Sequence, residues 1–322
     1  MIAIVLVNWR RYDDTIECLE TLTRMDGPDF RVIVVDNESR PDGVASIAAW
    51  AAGQAGAVCE GPAWPQLAQT RRREPDFCDI EEGASAPAAF VTLIRVTENK
   101  GYAAANNIGI ALALLDPACN HVWLLNNDTI VDGQALTSLL ARMTTEPSMG
   151  ICGSTLLYYD APTTVQSLGG VYDVLSGRGG SLGMGLSLDA LPKTSSVEGR
   201  MSFVVGASML VSRRYIQQVG LMHEGYFHYF EELDWSRKNA GRFRLGWARD
   251  SYVFHKEGRS IRTRSRGRSS DLSLYFHNLN FLRFTRRHHR FALPVACVVV
   301  LIKCAIAWVR GDSKAARAIG EG

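Results

Sequence analysis

Ile2-Ala-Ile-Val-Leu-Val-Asn8 and Arg31-Val-Ile-Val-Val-Asp36 are two apolar runs of strand length, each closing on a polar residue, and their reading decides the fold. A continuous apolar run suits a strand covered on both faces, as in a parallel sheet. Between them Ile16, Leu19, Leu22 and Thr23 keep helical spacing, and Asp14 with Glu17 forms a candidate capping box. Strand, helix, strand in this order predicts a right-handed crossover and adjacent parallel strands. A third strand is expected over Val91–Val96 and a fourth over 121–125, with helices over 103–115 and 133–143. Residues 51–90 are rich in Ala, Gly, Pro, Arg and Glu without sustained periodicity, and read as a surface insertion. The expected class is α/β with a mostly parallel central sheet.

Composition sets the outer limits. The 322 residues suffice for one large domain, or one domain with an appendage. With 47% apolar and 21% charged residues the chain is ordinary globular material, and a net charge of +2 gives no reason to expect nucleic acid as a partner. The seven cysteines form no C-x-x-C pair, so neither a zinc site nor a disulfide framework is expected, and free thiols in a reducing cytosol follow. The chain begins on a strand-like run without the basic, apolar and small-residue zones of a secretory leader.

Three of the four expected strands end in polar residues: Asn8-Trp9, Asp36-Asn37, and Asn126-Asn127-Asp128. Ligands of open parallel sheets bind outside the carboxyl ends of the strands, so three such ends converge on one crevice.

The order and spacing of further motifs carry a resemblance. They are Val7-Asn8-Trp9, Val35-Asp36-Asn37-Glu38-Ser39, Glu98-Asn99-Lys100-Gly101-Tyr102-Ala103 through Asn106-Asn107-Ile108-Gly109, and Leu125-Asn126-Asn127-Asp128. Gly206-Ala207-Ser208-Met209-Leu210, Phe227 through Asp234, and His255 through Ser260 complete the set. Together they resemble the family-2 glycosyltransferases of non-processive, bacterial rhamnosyltransferase type, from residue 1 to about 310 apart from the insertion. The resemblance implies a GT-A fold, a single α/β/α domain here assigned to 1–265, followed by a helical segment over 266–322.

A nucleotide-sugar donor carries a diphosphate whose departure a divalent cation assists, and Mg²⁺ or Mn²⁺ takes oxygen ligands. Asp128 is the natural ligand. The family's Asp-x-Asp pattern has Asn126 at its first position, which leaves Asn126 and Asn127 a supporting place on the donor side. By resemblance His255 is a second metal or phosphate contact, with Lys256 and Arg259 as candidate diphosphate contacts. Asp36 is expected at the base or ribose, with Asn8 and Trp9 beside it. The Asn99-Lys100-Gly101 turn opens a helix whose free N–H groups favour anions, and Asn106 and Asn107 lie on its first turns. An inverting transfer needs a base for the acceptor hydroxyl. In the family's Glu-Asp-x-Asp pattern the second residue is that base. Here the position is Glu232, one methylene longer, with Glu231 and Asp234 as alternatives.

The C-terminus suggests a place. From 256 to 290 there are ten Lys or Arg against two Asp or Glu, followed by an apolar stretch over 291–309 interrupted by Pro294 and Lys303. A basic flank on an apolar helix fits the inner face of the cytoplasmic membrane, and a soluble helix packed on the domain or on a second copy fits the same pattern. The expected partners are a nucleotide-sugar donor and a glycan or lipid-linked acceptor of cell-envelope polysaccharide synthesis. Two other classes share the pattern. A sugar-phosphate nucleotidylyltransferase would need a Gly-rich loop after the first strand, where Asn8-Trp9-Arg10-Arg11-Tyr12 has no glycine. A binding or assembly protein would keep the fold without the activity.

Overall fold

β1 (Ile2–Asn8) alternates its buried side chains between two layers. Ile2, Ile4 and Leu6 enter one core and Ala3 and Val5 the other, so the strand is apolar throughout because both faces are covered. The computed structural model describes residues 1–25, 27–59, 70, 72–84, 89–256 and 270–322. Among them β1 pairs in parallel with β2 (Phe30–Asn37) on one side and with β5 (His121–Asn126) on the other. β4 (Val91–Val96) continues the parallel order beyond β2. On the far side β11 (Ser208–Ser212) runs antiparallel to β5 and to β7 (Met149–Tyr158). β12 (Arg244–His255) lies parallel to β7 and antiparallel to β6 (Thr129–Val131), and β8 (Ala161–Ser167) pairs with β7. The result is a mixed sheet whose first half is parallel, flanked by helices: the expected α/β class and GT-A arrangement.

One face carries the helices Tyr12–Thr23, Pro41–Ala51 and Ala135–Thr145. The other carries Tyr102–Leu114 and Arg213–Val219. A third apolar cluster joins the 226–233 stretch to three C-terminal helices, Asp271–His288, Leu293–Val309 and Ser313–Glu321.

Two expectations change. Residues 51–90 are not only an insertion, because Phe77–Glu81 forms β3 and extends the sheet in parallel beside β4. Its outward Asp79 and Glu81 pair with Arg95 of β4, so the strand is charged as edge strands are, and its five-residue alternation is hidden among Pro, Gly and Glu. Asp14 and Glu17 form no capping box. The first helix begins at Tyr12 after Arg11, and both carboxylates instead hold the Lys256 ammonium.

Gly101 opens the helix Tyr102–Leu114 at φ 83°, ψ 173°, a conformation open essentially to glycine alone. A Cβ there would stand 2.6 Å from the Phe227 carbonyl oxygen, which accepts the Tyr102 N–H at 3.2 Å. The turn after β4 and the 226–230 loop therefore touch backbone to backbone. Gly101→Ala is expected to cost about 2 kcal/mol or more through backbone strain and this clash, read as a lower urea midpoint with unchanged slope.

Candidate active site

The carboxyl ends of β1, β2 and β5 meet in one buried polar network. Asn8 is fully buried. Its amide donates to Asp36 Oδ1 at 2.7 Å. Its carbonyl oxygen accepts from the Arg11 N–H at 3.0 Å, the Thr15 hydroxyl at 3.0 Å and the Asn127 amide at 3.2 Å. The Tyr12 hydroxyl donates to the other oxygen of Asp36 at 3.0 Å. Burial pushes the Asp36 carboxyl up, against the opposing pull of Ser39, Asn8 and Tyr12. Trp9 stands at the rim, where its indole N–H donates to Glu38 at 2.7 Å and the Arg10 guanidinium covers its ring.

The second strand end is locked to the turn after β4. The Asn37 amide donates to Asn99 Oδ1 at 2.8 Å, which also accepts the Gly101 N–H at 2.9 Å, and the Lys100 N–H donates to Asn37 Oδ1 at 3.0 Å. Asn106 turns back to the Tyr102 carbonyl at 2.9 Å. Asn107 faces the other way. Its amide donates to the Met222 carbonyl and to Glu224, and its oxygen accepts the Met222 N–H. Its polar atoms brace the 222–224 loop.

Asp128 and His255 lie 127 residues apart yet face each other. The turn after β5 runs into β6, which pairs with the end of β12 in the register His255 to Thr129. This sets Asp128 Oδ1 3.2 Å from His255 Nε2, with the Asn126 amide 3.3 Å from the same nitrogen. His255 Nδ1 is 2.9 Å from Gln166 Oε1 of β8, and since an amide oxygen only accepts, Nδ1 carries the proton. Nε2 faces the Asp128 carboxylate, a contact made attractive by a proton on Nε2 or by a cation between the two. Burial raises the Asp128 carboxyl, but the bond to His255 and its charge outweigh this and leave it below the usual range. Among the described residues no group of three or more His, Cys, Asp or Glu gathers as a protein-only metal cage.

Sequence reasoning gave Lys256 to the diphosphate, and the structure removes it. Its ammonium is held 2.6 Å from Asp14 Oδ1 and against Glu17, with the Tyr159 ring beside it. Burial lowers the Lys256 pKa, yet the two carboxylates reverse this and hold it raised. Arg259 and Ser260 lie outside the described residues.

The acidic cluster divides into three environments. The helix Glu231–Lys238 starts after Tyr229 and Phe230, at φ 68° and 79°, two aromatic residues in the left-handed region. Each costs on the order of 1–3 kcal/mol, and surrounding packing must hold them. Tyr229 stacks on His277 at 4.0 Å and Phe230 packs on Phe284, both partners from the Asp271–His288 helix. The strain points Glu232 at Gly206, whose N–H reaches Glu232 Oε1 at a long 3.4 Å and whose carbonyl accepts the Tyr102 hydroxyl at 2.8 Å. The adjacent Ala207 carbonyl accepts the Asn126 N–H, so one short loop joins Glu232 to the Asn126–Asp128 turn. Glu232 is pushed up by burial. Glu231 is pushed well up, first by burial and then by Glu232, and its Oε1 has no hydrogen-bond partner.

Asp234 is elsewhere. It is fully buried, accepts from the Tyr226 hydroxyl at 3.0 Å, and contacts His288 Nε2 at 2.6 Å and Arg287 Nε at 3.2 Å. It anchors the C-terminal helices to the Glu232 helix, a task that leaves the base role to its neighbours. Gln166 has no local signal in the sequence, because it acts on His255, 89 residues away, and Tyr102 and Gly206 lie in the motifs quoted above but have no role there until the fold joins them.

Residues 84–219 match the family model described as Glycosyl transferase family 2. No curated protein sequence matches the chain. Among solved structures it is similar to the mannosyltransferase PcManGT from Pyrobaculum calidifontis, determined with GDP-Man and Mn²⁺, at 14% identity and TM-score 0.52 over 99% of this chain and 78% of that one. It is also similar to GalNAc-T7, determined with UDP, GalNAc and Mn²⁺, at 14% identity and TM-score 0.57. That alignment takes 89% of this chain and 47% of GalNAc-T7, so the chain spans about half that protein. Residues 1–349 of S. aureus TarS align at 11% identity and TM-score 0.50, over 89% of this chain and 66% of that one. At such identities the shared property is the fold.

Removing the Asp234 charge by Asp234→Asn is expected to destabilise by about 3 kcal/mol, as for a buried ion pair deprived of one partner. The loss is to be measured by thermal unfolding, with the C-terminal helices becoming sensitive to limited proteolysis first.

Proposed function

We propose a specific reaction for a chain that is a glycosyltransferase of GT-A fold, with residues 84–219 matching family 2: an inverting transfer of a sugar from a nucleotide-diphosphate donor to a hydroxyl of a glycan or lipid-linked acceptor. The observation that carries this reading is the facing pair Asp128 and His255, joined through the Asn126 and Gly206–Ala207 backbone to a half-buried Glu232. The resemblance of the sequence to rhamnosyltransferases makes rhamnose the proposed sugar and cell-envelope polysaccharide the proposed product.

A divalent cation fits the donor set. Mg²⁺ holds its ligands at about 2.0–2.1 Å, which places neighbouring ligand atoms about 3 Å apart. Asp128 Oδ1 and His255 Nε2 are 3.2 Å apart, close to that spacing, so one ion could meet both atoms. A carboxylate oxygen with an imidazole nitrogen suits Mn²⁺ better than the all-oxygen preference of Mg²⁺, and the similar structures were determined with Mn²⁺. Such an ion supplies charge neutralisation to the departing diphosphate. Gln166 fixes the ring so that Nε2 is the free nitrogen.

The remaining steps belong to the chain. The buried Asp36–Asn8 network fixes the strand ends and Trp9 beside which the nucleoside is proposed to lie. The N–H groups of Lys100, Gly101 and Tyr102 are taken by Asn37, Asn99 and Phe227, so the Asn99–Gly101 turn shapes the cleft rather than holding anionic oxygens. Glu232 takes the proton of the acceptor hydroxyl as its oxygen bonds to the anomeric carbon and the carbon–oxygen bond to the diphosphate breaks. Burial makes Glu232 a stronger base than an exposed glutamate.

Three outcomes test this. Sugar transfer or donor hydrolysis with Mn²⁺ is expected from the wild type and to fall at least ~100-fold in Asp128→Ala. Absence of metal-dependent turnover with any nucleotide sugar sinks the proposal. Gln166→Leu is expected to weaken Mn²⁺ binding ~10–100-fold by calorimetry with nucleoside diphosphate present, at unchanged fold. Finally, kcat/KM should fall as pH drops through an apparent pKa above that of an ordinary glutamate, because Glu232 works deprotonated and its pKa is raised. Burial raises both Glu231 and Glu232, and Glu231→Gln should keep turnover with an acid limb while Glu232→Gln removes turnover.

A further inference from the structure

The helix Leu293–Val309 has two unlike sides. Ala296, Val299, Val300, Cys304 and Ala307 recur at helical spacing and pack on the third apolar cluster. The opposite side shows Val295, Val298, Leu301, Ile302, Ile306 and Trp308 to solvent, with Leu301 68% and Trp308 72% exposed. Counted from Arg290 the helix runs 20 residues, and its most apolar window has a mean hydropathy of 2.4 with only 17% of it buried, which the core helix of a soluble domain would reverse. Its one charge is turned away from the exposed side, since the Lys303 ammonium lies 5.3 Å from the centre of the Phe281 ring, inside the protein. The exposed side is therefore apolar without interruption.

Both ends are basic. Arg286, Arg287 and Arg290 precede the helix, and Arg310, Lys314 and Arg317 follow it, all exposed. The acids nearby are engaged: Asp312 caps the last helix by accepting the Ala315 N–H, and Glu321 pairs with Arg317. A bare apolar strip bounded by cations is complementary to a layer with an apolar interior and anionic headgroups. We propose that this face docks on an anionic lipid bilayer and lies in its headgroup layer. Lying, rather than spanning, follows from the opposite side, which is committed to the Asp271–His288 and Ser313–Glu321 helices and carries the inward lysine.

The Asp271–His288 helix also holds Asp234, two residues from Glu232, so one intervening helix links the docking helix to the Glu232 helix. The docking stands on the helix alone. Read through the proposed transfer, it makes a lipid-borne acceptor the chemistry that reaches Glu232.

Cosedimentation of the full chain with vesicles tests this, with no donor or acceptor present, so failure of docking and failure of transfer are separate results. The chain is expected to sediment with phosphatidylglycerol-containing vesicles and to bind pure phosphatidylcholine ~10-fold or more weakly. Leu301→Glu with Ile306→Glu should abolish binding while circular dichroism and melting stay those of the wild type. Arg290→Glu with Arg310→Glu should remove the preference for anionic lipid. Brominated lipid should quench wild-type tryptophan fluorescence, and Trp308→Phe should lose that quenching. Folded wild type that stays in the supernatant with anionic vesicles overturns the proposal. So does a stable dimer that Leu301→Glu with Ile306→Glu dissociates without any change in lipid binding.

Discussion

The side chain of Asn8 is the constraint on which the site depends. A buried amide can accept and donate only where partners wait, and here four partners from three segments wait at one point. Asp36, the start of the first helix and the turn after β5 are thereby fixed relative to one another. An apolar residue at position 8 would leave Asp36 and Asn127 short of partners in a buried setting, where an unmet polar group is expensive. The network also explains why the strand ends are polar at all. They are the part of an apolar sheet that must be specified rather than merely packed.

The acceptor side is held differently, by strain and aromatic packing. Tyr229 and Phe230 occupy backbone conformations that bulky residues avoid, and the Asp271–His288 helix keeps them there by stacking and through the Asp234 pair. Asn280 adds its amide to the carbonyls of His228 and Tyr229 at 2.8 and 3.1 Å. The helix bearing Glu232 is thus oriented by a segment at the far end of the chain, and the site is finished only when that segment is in place.

The parallel half of the sheet was legible because a strand covered on both faces needs an apolar run, and Ile2–Val7 of β1 and Val32–Val35 of β2 supply one. β3 was not, because an exposed five-residue edge looks like the loop around it. The polar strand ends were legible as a group, since three in succession mark one edge. Their division of labour was not. Asn107, Asp234 and Lys256 carry the right chemistry for a donor or acceptor, yet their partners are Met222 and Glu224, His288 and Arg287, and Asp14 and Glu17. Only the fold says that these groups are already engaged. The resemblance located the motifs, and the geometry sorted those that face one another across the cleft from those that hold the cleft together.

The Lys256 pair has a bearing on how the molecule is made. Asp14 and Glu17 leave the ribosome early and sit in a helix that packs on the sheet, but the cation that neutralises them lies 242 and 239 residues later. Until it arrives, closing that layer buries Asp14 with Arg11 as its only cation and Glu17 with none, which the emerging chain resists. β12, which delivers Lys256, also completes the pairing of β6 and β7. Assembly of the catalytic edge is therefore a late and long-range event, with a slow final step expected of such contacts. A nascent chain stopped short of residue 256 has every nucleoside-side residue and no stable way to present them.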